Sequence, residues 1–459
     1  MIVAILFILL GAVLAVFAPA LFVLFFGLFG SDTEAMGFMG YFSKYVSYYD
    51  SIMLVLLFVA LVSAVFRSLR NNVTIPVRKK LVLSIVTMIV MMLSVVLFFV
   101  LNRAEGSLVV RSLKAITIYG PAIFVIWILE PITFKNGKSL LFKYLFVQCA
   151  IAFAIIYLTR IGINFWNNFN SGYYNGAYYY TNEYNDMVAL PSNFYLVFSN
   201  SKNENFLRAA QFHNSNGLGF AAATFMFLTL EKAFVEQKKI INKILLVFLA
   251  VLAFLLWCNS ETKGVIVGIL IGAFVYIFKG TINNRGALKA STVLLITGMC
   301  ALIPVIAYLI FNEGDVLFST IISSLDSRDG LMKTLFDNFG EFFLLGNGGN
   351  LDEAVSRNID PHFLPFRIYI MYGIGAAVLT FILCFVSPIR LMFNKAAKSI
   401  YCITLLSIAV FVGSTNNLTA VALFWIILAE AFLEVCRAEK DDVEELPTQK
   451  KKFINFCWE

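Results

Sequence analysis

Long apolar runs alternate with short clusters of polar and charged residues along the whole chain. The run from Leu81 to Leu101 is predominantly apolar on every side, and about twenty such residues form a helix that crosses roughly 30 Å of hydrocarbon. A membrane barrel would show alternating apolar and polar positions in segments of about ten residues. The pattern therefore predicts an all-α, polytopic membrane protein.

About twelve runs have transmembrane length. The first run has no basic residues ahead of it and is longer than the apolar region of a signal peptide, which predicts a retained helix. Together the runs predict a single transmembrane domain over residues 1–435 and a cytoplasmic tail over residues 436–459. The predicted helices lie near residues 2–29, 51–66, 81–101, 115–131, 143–160, 216–231, 244–258, 264–278, 290–311, 367–386, 400–413 and 418–435.

Basic residues determine the expected orientation. If the N-terminus is cytoplasmic, about two thirds of the 35 Lys and Arg residues fall in the inner connections and the C-terminal tail. The inner connections are also the shorter ones, so their density of positive charge is higher still. The pattern predicts a bacterial inner-membrane protein with both termini in the cytoplasm.

The composition agrees with this class. Hydrophobic residues make up 60% of the chain and the mean hydropathy is +0.83, which excludes a water-soluble globule. A net charge of +7 would suggest a nucleic-acid partner in a soluble protein, but here the basic residues lie at helix ends, where they face anionic lipid headgroups. The expected partners are therefore membrane lipids, and no nucleic acid is expected.

Two outer loops, over residues 161–215 and 312–366, are much longer than the other connections, and long loops in a compact architecture usually carry function. The first loop is rich in tyrosine, asparagine and glycine. Flat rings stack on the C–H faces of sugars while amides bind hydroxyls, so a glycan surface is one interpretation. An interfacial aromatic belt is the other. The candidate glycan-binding residues are Tyr173, Tyr174, Tyr178, Tyr179 and Tyr180.

The first loop ends with Arg208 in the run RAAQFHNSNGLG, just before an apolar helix. A planar guanidinium that keeps its charge suits a phosphate, and glycines near a helix N-terminus allow close backbone approach to an anion. Contact with lipid headgroups is the alternative reading of an arginine in this position.

Four segments together resemble the O-antigen polymerase and O-antigen ligase superfamily. RAAQFHNSNGLG resembles its Arg-x10-Gly and Asn-x-Asn elements, and WCNSETKGVIVGILIG resembles its Thr-x-Ser-Arg-Gly turn, with Lys263 where arginine is usual. LDSRDGLMKTLFDNFGEFFLLGNGGN resembles its Ser-Gly-Arg segment followed by a Gly-x-Gly turn and matches Arg328 to the family arginine. DPHFLPFRIYIMYGIGA resembles its His-Asn-x-x-Leu and Gly-Ile-x-Gly elements and matches His362 to the catalytic histidine, with Phe363 replacing the neighbouring asparagine.

The resemblance implies a twelve-helix fold in which the two outer loops cover a lipid-accessible cavity. It implies glycosyl transfer at the periplasmic face, from an undecaprenyl-pyrophosphate-linked oligosaccharide to the terminal sugar of a lipid-linked repeat unit. His362 would be the general base, because its ordinary pKa near 6.5 lets it accept a hydroxyl proton at neutral pH. Arg208, Lys263 and Arg328 would bind the pyrophosphate. No metal or other cofactor is implied, and a chain-length regulator protein is an expected partner.

Two other functions fit the same sequence less well. An O-antigen ligase uses the same donor with lipid A core as acceptor, and the long aromatic loop favours the polymerase over it. A flippase for lipid-linked oligosaccharide also has about twelve helices, but transporters place ionisable residues within their spans and keep their outer loops short. Here the predicted spans are nearly free of charge and the loops are long.

Overall fold

The computed structural model describes residues 2–30, 42–43, 45–70, 78–102, 106–160, 210–212, 215–260, 330–331, 333–350, 364–387 and 421–444. Within these ranges the protein consists of helices and turns, which confirms the all-α class for the described part of the chain. The helices are α1 (Ile2–Phe17), α2 (Pro19–Phe29), α3 (Tyr49–Arg70), α4 (Arg78–Asn102), α5 (Gly106–Leu113), α6 (Ile116–Leu129), α7 (Pro131–Arg160), α8 (Ser215–Glu231), α9 (Ile240–Ser260), α10 (Leu364–Phe381) and α11 (Ala422–Glu444). Single π-helical turns, Lys232–Glu236 and Ile382–Val386, extend α8 and α10.

Six helical segments are long and apolar enough to cross a membrane: Tyr49–Arg70, Lys80–Asn102, Pro131–Leu158, Asn216–Phe234, Ile240–Ser260 and Leu364–Val386. Each coincides with a predicted span, so the protein is a helical membrane protein. The predicted helices 264–278, 290–311 and 400–413 lie outside the described residues, so the number twelve stays a prediction. Two helix boundaries differ clearly from the prediction. Helix α7 begins at Pro131 rather than near residue 143, and α11 continues to Glu444, beyond the predicted start of the tail at residue 436.

The prediction of one membrane-crossing helix over residues 2–29 is wrong. The helix ends at Phe17 and a second begins at Pro19, because Ala18 has the non-helical angles φ −148° and ψ 65°, and a residue before proline is biased away from the α conformation. The two helices fold back on each other, since the ring of Phe7 in α1 lies 4.7 Å from the ring of Phe29 at the end of α2. A straight helix would separate these rings by about 33 Å.

Two ion pairs define the two ends of the helical bundle. Helices α3 and α6 are parallel neighbours, with Lys114 paired to Asp50 at 2.7 Å where they begin and Arg67 paired to Glu130 at 3.7 Å where they end. The end that contains Arg67 and Glu130 is called the Arg67 end. The opposite end, which contains Asp50 and Lys114, is called the Tyr372 end, after a residue of α10 described below.

The first and last described helices place their outer termini at opposite ends of the bundle. The Arg67 guanidinium donates a hydrogen bond to the carbonyl of Phe17, so α1 finishes at the Arg67 end and begins at the other. Arg437, near the finish of α11, also lies at the Arg67 end, where it contacts the start of α7. Within the described helices, the start of α1 and Arg437 of α11 therefore lie toward opposite ends of the bundle. The cytoplasmic location of both termini stays a prediction.

Helix α6 is the centre of the described bundle. Every side chain from Gly120 to Glu130 is buried, and α2, α3, α4, α7 and α11 all pack against the helix. Pro121 lies inside α6 without ending it, and its carbonyl accepts a hydrogen bond from the Ser84 hydroxyl of α4. A helix that is apolar on every side is stable only when neighbours cover it completely.

Buried charges connect α6, α7 and α11 near the Arg67 end. The fully buried carboxylate of Glu430 accepts hydrogen bonds from the Trp127 indole at 2.9 Å and from the Arg437 guanidinium at 2.8 Å. Arg437 also donates to the carbonyls of Thr133 and Phe134 in the first turn of α7. Gly137 makes this approach possible, because a Cβ there would lie 2.1 Å from Glu430 Oε2.

The contact between Gly120 of α6 and Trp425 of α11 gives a direct test of this core. A Cβ at Gly120 would lie 2.0 Å from Trp425 Nε1. We expect Gly120→Ala to lower the free energy of unfolding by about 1–3 kcal/mol, the usual effect of overpacking. The measurement is the thermal unfolding midpoint of the detergent-solubilised protein. Gly106→Ala is the matched control, since a Cβ there meets no atom within 4 Å. Equal midpoints for the two variants would contradict the described packing of α6 on α11.

Candidate functional site

Helix α10 is broken at Gly373, within a candidate membrane span. Gly373 has φ 82° and ψ 180°, a backbone conformation that is essentially restricted to glycine. The break leaves backbone carbonyls and amides of the preceding and following turns without their helical partners. In an apolar environment each such group needs another hydrogen-bond partner.

A glycine-rich turn over residues 343–350 supplies those partners. The amides of Asn347 and Gly349 donate to the carbonyls of Ile370 and Met371, each at 2.8 Å, and the Ile374 amide donates to the Phe343 carbonyl at 3.0 Å. The backbones touch so closely that a Cβ at Gly346 would lie 2.5 Å from backbone atoms of α10. The break and the turn therefore form one backbone-paired unit, defined here as the broken-helix unit (residues 343–350 and 364–381).

Buried polar side chains lie on the broken-helix unit and on the part of α6 beside it. The hydroxyls of Tyr372 and Thr117 lie 3.1 Å apart, and both residues are buried. Arg367, one turn into α10, is only 7% exposed and is near enough to Tyr372 for its charge to act on that hydroxyl. Asn347 is 4% exposed, and within the described part of the chain its Oδ1 atom accepts no hydrogen bond. These groups can donate and accept hydrogen bonds and supply a cation.

Aromatic rings hold the segment before the turn against the first turns of α10. The Phe339 ring stacks on Tyr369 with centroids 4.4 Å apart, and the Tyr369 hydroxyl donates to the Phe339 carbonyl. Phe336 meets Phe366 edge to face at 5.7 Å. The part of the predicted second loop from residue 333 to 350 is thus ordered against a membrane helix.

A second polar feature is the buried turn of residues 210–212, between α7 and α8. The Gln211 side-chain amide donates to the backbone carbonyl of Gln148 at 2.9 Å and to its side-chain oxygen at 2.8 Å. Gln148 in turn donates to the Tyr144 hydroxyl at 3.0 Å. Ala210 has a positive φ of 50°, and Phe212 packs on Gly217 of α8.

The Tyr372–Thr117 pair and the turn at residues 210–212 lie at a similar depth in the bundle. Gly137 and Trp127 both approach Glu430, which marks a common level in α6 and α7. From that level Thr117 is ten residues away along α6 and Gln148 is eleven residues away along α7, or about 15 Å and about 17 Å at 1.5 Å per residue. Both features therefore belong to the Tyr372 end of the bundle.

The residues predicted to perform chemistry lie outside the described residues, so their roles stay predictions. This applies to Arg208, Lys263, Arg328 and His362, and to the candidate glycan-binding Tyr173, Tyr174, Tyr178, Tyr179 and Tyr180. Described residues come within three positions of each of the first four. Ala210 follows Arg208, Ser260 precedes Lys263, Gly330 follows Arg328 and Leu364 follows His362.

Sequence reasoning missed the polar residues that the structure brings together. Gly373 and the GNGG turn were matched to family elements, but their pairing through backbone hydrogen bonds was not foreseen. Arg367 and Gln211 are single polar residues in apolar or mixed segments, and no spacing distinguishes them. The spans also contain more buried charge than expected, because Arg367 lies within α10 and Glu430 within α11. The useful signal was a glycine in the middle of an apolar run, which marks close backbone approach.

No protein-family model matches the sequence, and no curated protein matches it with significant similarity.

The broken-helix unit predicts a sharp difference between two glycines of α10. Gly373→Ala places a Cβ 2.2 Å from the Leu344 carbonyl and forces a positive φ on alanine, whereas a Cβ at Gly375 has its nearest contact at an ordinary 3.7 Å. We expect Gly373→Ala to cost about 1–3 kcal/mol of stability and Gly375→Ala to cost less than about 0.5 kcal/mol. Thermal unfolding of the two purified variants measures the difference. Similar midpoints would show that α10 is continuous in solution.

Proposed function

We propose that the protein is a polysaccharide polymerase that transfers an undecaprenyl-pyrophosphate-linked oligosaccharide to the terminal sugar of a lipid-linked repeat unit at the outer face of the membrane. His362 acts as the general base, and Arg208, Lys263 and Arg328 neutralise the departing pyrophosphate. The proposal rests on the resemblance of four sequence segments to the O-antigen polymerase and ligase superfamily. The structure supports it through one observation about chain connectivity.

That observation is that the described residues of the four segments lie toward the Tyr372 end of the bundle. Gln211 lies at the depth of Thr117, Ser260 finishes α9 after a start at the Arg67 end, and Leu364 begins the helix that carries Tyr372. Residues 333–342 pack on the first turns of α10. No segment has to cross the bundle for the four predicted residues to serve one substrate.

The distribution of charge supports an outer position for the Tyr372 end. Connections at the Arg67 end are rich in lysine and arginine, and such connections usually face the cytoplasm. We therefore propose that the Arg67 end is cytoplasmic and the Tyr372 end periplasmic. With the hairpin at Ala18, this orientation puts the start of α1 on the outer side. The described basic residues near the Arg67 end are Arg67, Arg70, Lys80, Lys135, Lys138, Lys232, Lys238, Lys239, Lys243 and Arg437.

The chemistry fits the polar groups on the broken-helix unit. A sugar acceptor presents several hydroxyls, and hydroxyl and amide side chains exchange hydrogen bonds with them. Tyr372 and Asn347 provide such groups on a rigid backbone, ten and fifteen positions along the chain from His362, and Thr117 of α6 adds a hydroxyl beside Tyr372. In this proposal they contact the acceptor while the cations contact the donor.

The histidine assignment has a direct test. His362→Ala removes the base and should abolish polymer formation, while leaving helix packing intact because His362 precedes α10 rather than lying in it. The measurement is polymer length on a gel, made with lipid-linked donor and equal amounts of folded protein. His213→Ala, at the only other histidine, is the matched control and should retain polymer. Long-chain product from His362→Ala would refute the assignment.

Metal dependence tests the role of the cations. If Arg208, Lys263 and Arg328 carry the positive charge that stabilises the leaving pyrophosphate, protein in proteoliposomes should extend chains in excess EDTA and gain nothing from magnesium or manganese. Activity should fall as salt rises, because phosphate contacts that are partly exposed are screened over about 8 Å at physiological ionic strength. Activity that EDTA abolishes and one cation restores would point to carboxylate ligands instead.

A transporter of lipid-linked oligosaccharide is the second candidate, and the break in α10 is the observation that favours it. Transporters build binding sites from discontinuous helices and keep ionisable residues inside the bundle, as Arg367 and Glu430 are here. The same proteoliposomes separate the two functions. Longer glycan chains support the polymerase, whereas unextended donor that has crossed the bilayer supports the transporter.

A further inference from the structure

The turn at residues 210–212 is built unusually for a connection between two membrane helices. All three of its side chains are buried, at 5%, 2% and 4% exposure. Loops normally run over the surface because buried backbone needs hydrogen-bond partners. This turn instead contacts α7 through Gln211 and α8 through Phe212, and its central side chain makes the polar contacts.

Gln211 holds the turn by two hydrogen bonds to one residue. Its amide nitrogen donates both to the backbone carbonyl of Gln148, at 2.9 Å, and to the side-chain oxygen, at 2.8 Å. The Gln148 nitrogen is held in turn by the Tyr144 hydroxyl, one helical turn away. The two glutamines and the tyrosine are each buried, and are called the amide clamp below.

Two features of the turn are unfavourable by themselves. Ala210 adopts a left-handed conformation, with φ 50°, that alanine rarely takes. The side-chain oxygen of Gln211 is buried and accepts no hydrogen bond within the described part of the chain. Strained backbone and incompletely paired buried groups persist where the surrounding structure fixes them, and they concentrate at functional sites.

We propose that Gln211 is a positioning residue, which fixes the chain next to Arg208 so that the arginine meets the pyrophosphate of the donor in one direction. The inference rests on the proposed function, since Arg208 has its role only there. Gln211 acts through the backbone, because Ala209 and Ala210 are all that separates the two residues. Phe212, packed on Gly217, holds the other side of the turn against α8.

The amide clamp predicts a graded response to near-isosteric substitutions. Gln211→Met removes both hydrogen bonds that Gln211 donates. Gln148→Met removes one of these two acceptors and the hydrogen bond to Tyr144, but leaves the backbone carbonyl of residue 148 to accept from Gln211. Gln237→Met is the matched control, because Gln237 lies at the Arg67 end and its oxygen accepts one exposed hydrogen bond from Asn242. Methionine keeps the length and much of the volume of glutamine, so packing changes little.

Amide hydrogen exchange on the full-length protein in lipid nanodiscs tests the clamp without reference to activity. Exchange in peptides covering residues 207–214 should be about tenfold faster in Gln211→Met, less accelerated in Gln148→Met and unchanged in Gln237→Met. Peptides from α3 and α9 should be unaffected in all three variants. Unchanged exchange at residues 207–214 in Gln211→Met would overturn the clamp whatever the activity.

Chain-extension kinetics with lipid-linked donor test the positioning role. Gln211→Met should lose about tenfold or more in kcat/KM for the donor, with the KM for the acceptor unchanged, and Gln148→Met should lose less. Faster exchange with normal donor kinetics would show that the clamp orders the turn without serving Arg208, and would overturn the positioning role. Absence of chain extension by the wild-type protein would overturn the proposed function and the positioning role together, and exchange alone would then decide on the clamp.

Discussion

The burial of α6 from Gly120 to its end is the constraint on which the described bundle depends. The helix is short and apolar on every side, so it has no face that prefers water, and its neighbours must cover it entirely. Small residues and buried polar contacts make that coverage possible. Gly120 admits the Trp425 ring, and the Ser84 hydroxyl and Glu430 carboxylate find partners on α6. The helices that pack directly against α6 are α2, α3, α4, α7 and α11.

Burying charged groups near the Arg67 end costs free energy, and this cost explains why they are paired. Burial raises the pKa of Glu130, although the Arg67 guanidinium nearby opposes this change. Glu430 lies deeper and accepts hydrogen bonds from Trp127 of α6 and from Arg437 of its own helix, which also donates to the first turn of α7. A buried carboxylate that loses its cation is strongly destabilising. The ion pairs therefore specify which helices are neighbours more than they add stability.

Much of the helical layout could be predicted from sequence, because hydrophobic length is a direct physical requirement of the bilayer. What failed was the hairpin at Ala18, since both of its helices are equally apolar and no polar residue marks the turn. Proline was an ambiguous signal: Pro19 begins a new helix, whereas Pro121 is accommodated inside α6. Local sequence does not separate these cases, because the outcome depends on which helices pack alongside.

The candidate site was less predictable for a different reason. Arg208, Lys263, Arg328 and His362 were proposed from sequence patterns, and they lie outside the described residues. The residues that build the rigid surroundings, such as Gln211, Asn347 and Tyr372, are chosen by three-dimensional contact and have no spacing of their own. The glycine at the break is an exception, since Gly373 lies in the middle of an apolar run and such a glycine marks close backbone approach.

The hairpin of α1 and α2 has a consequence for how the protein is assembled during synthesis. From Ile2 to Gly30 the chain contains no charged residue, so nothing in the hairpin itself distinguishes one side of the membrane from the other. The group that holds its turn is Arg67, which donates to the Phe17 carbonyl and is translated about fifty residues later. A residue of a helix that is synthesised later therefore holds the turn of the hairpin, so the final orientation of the hairpin follows that of α3.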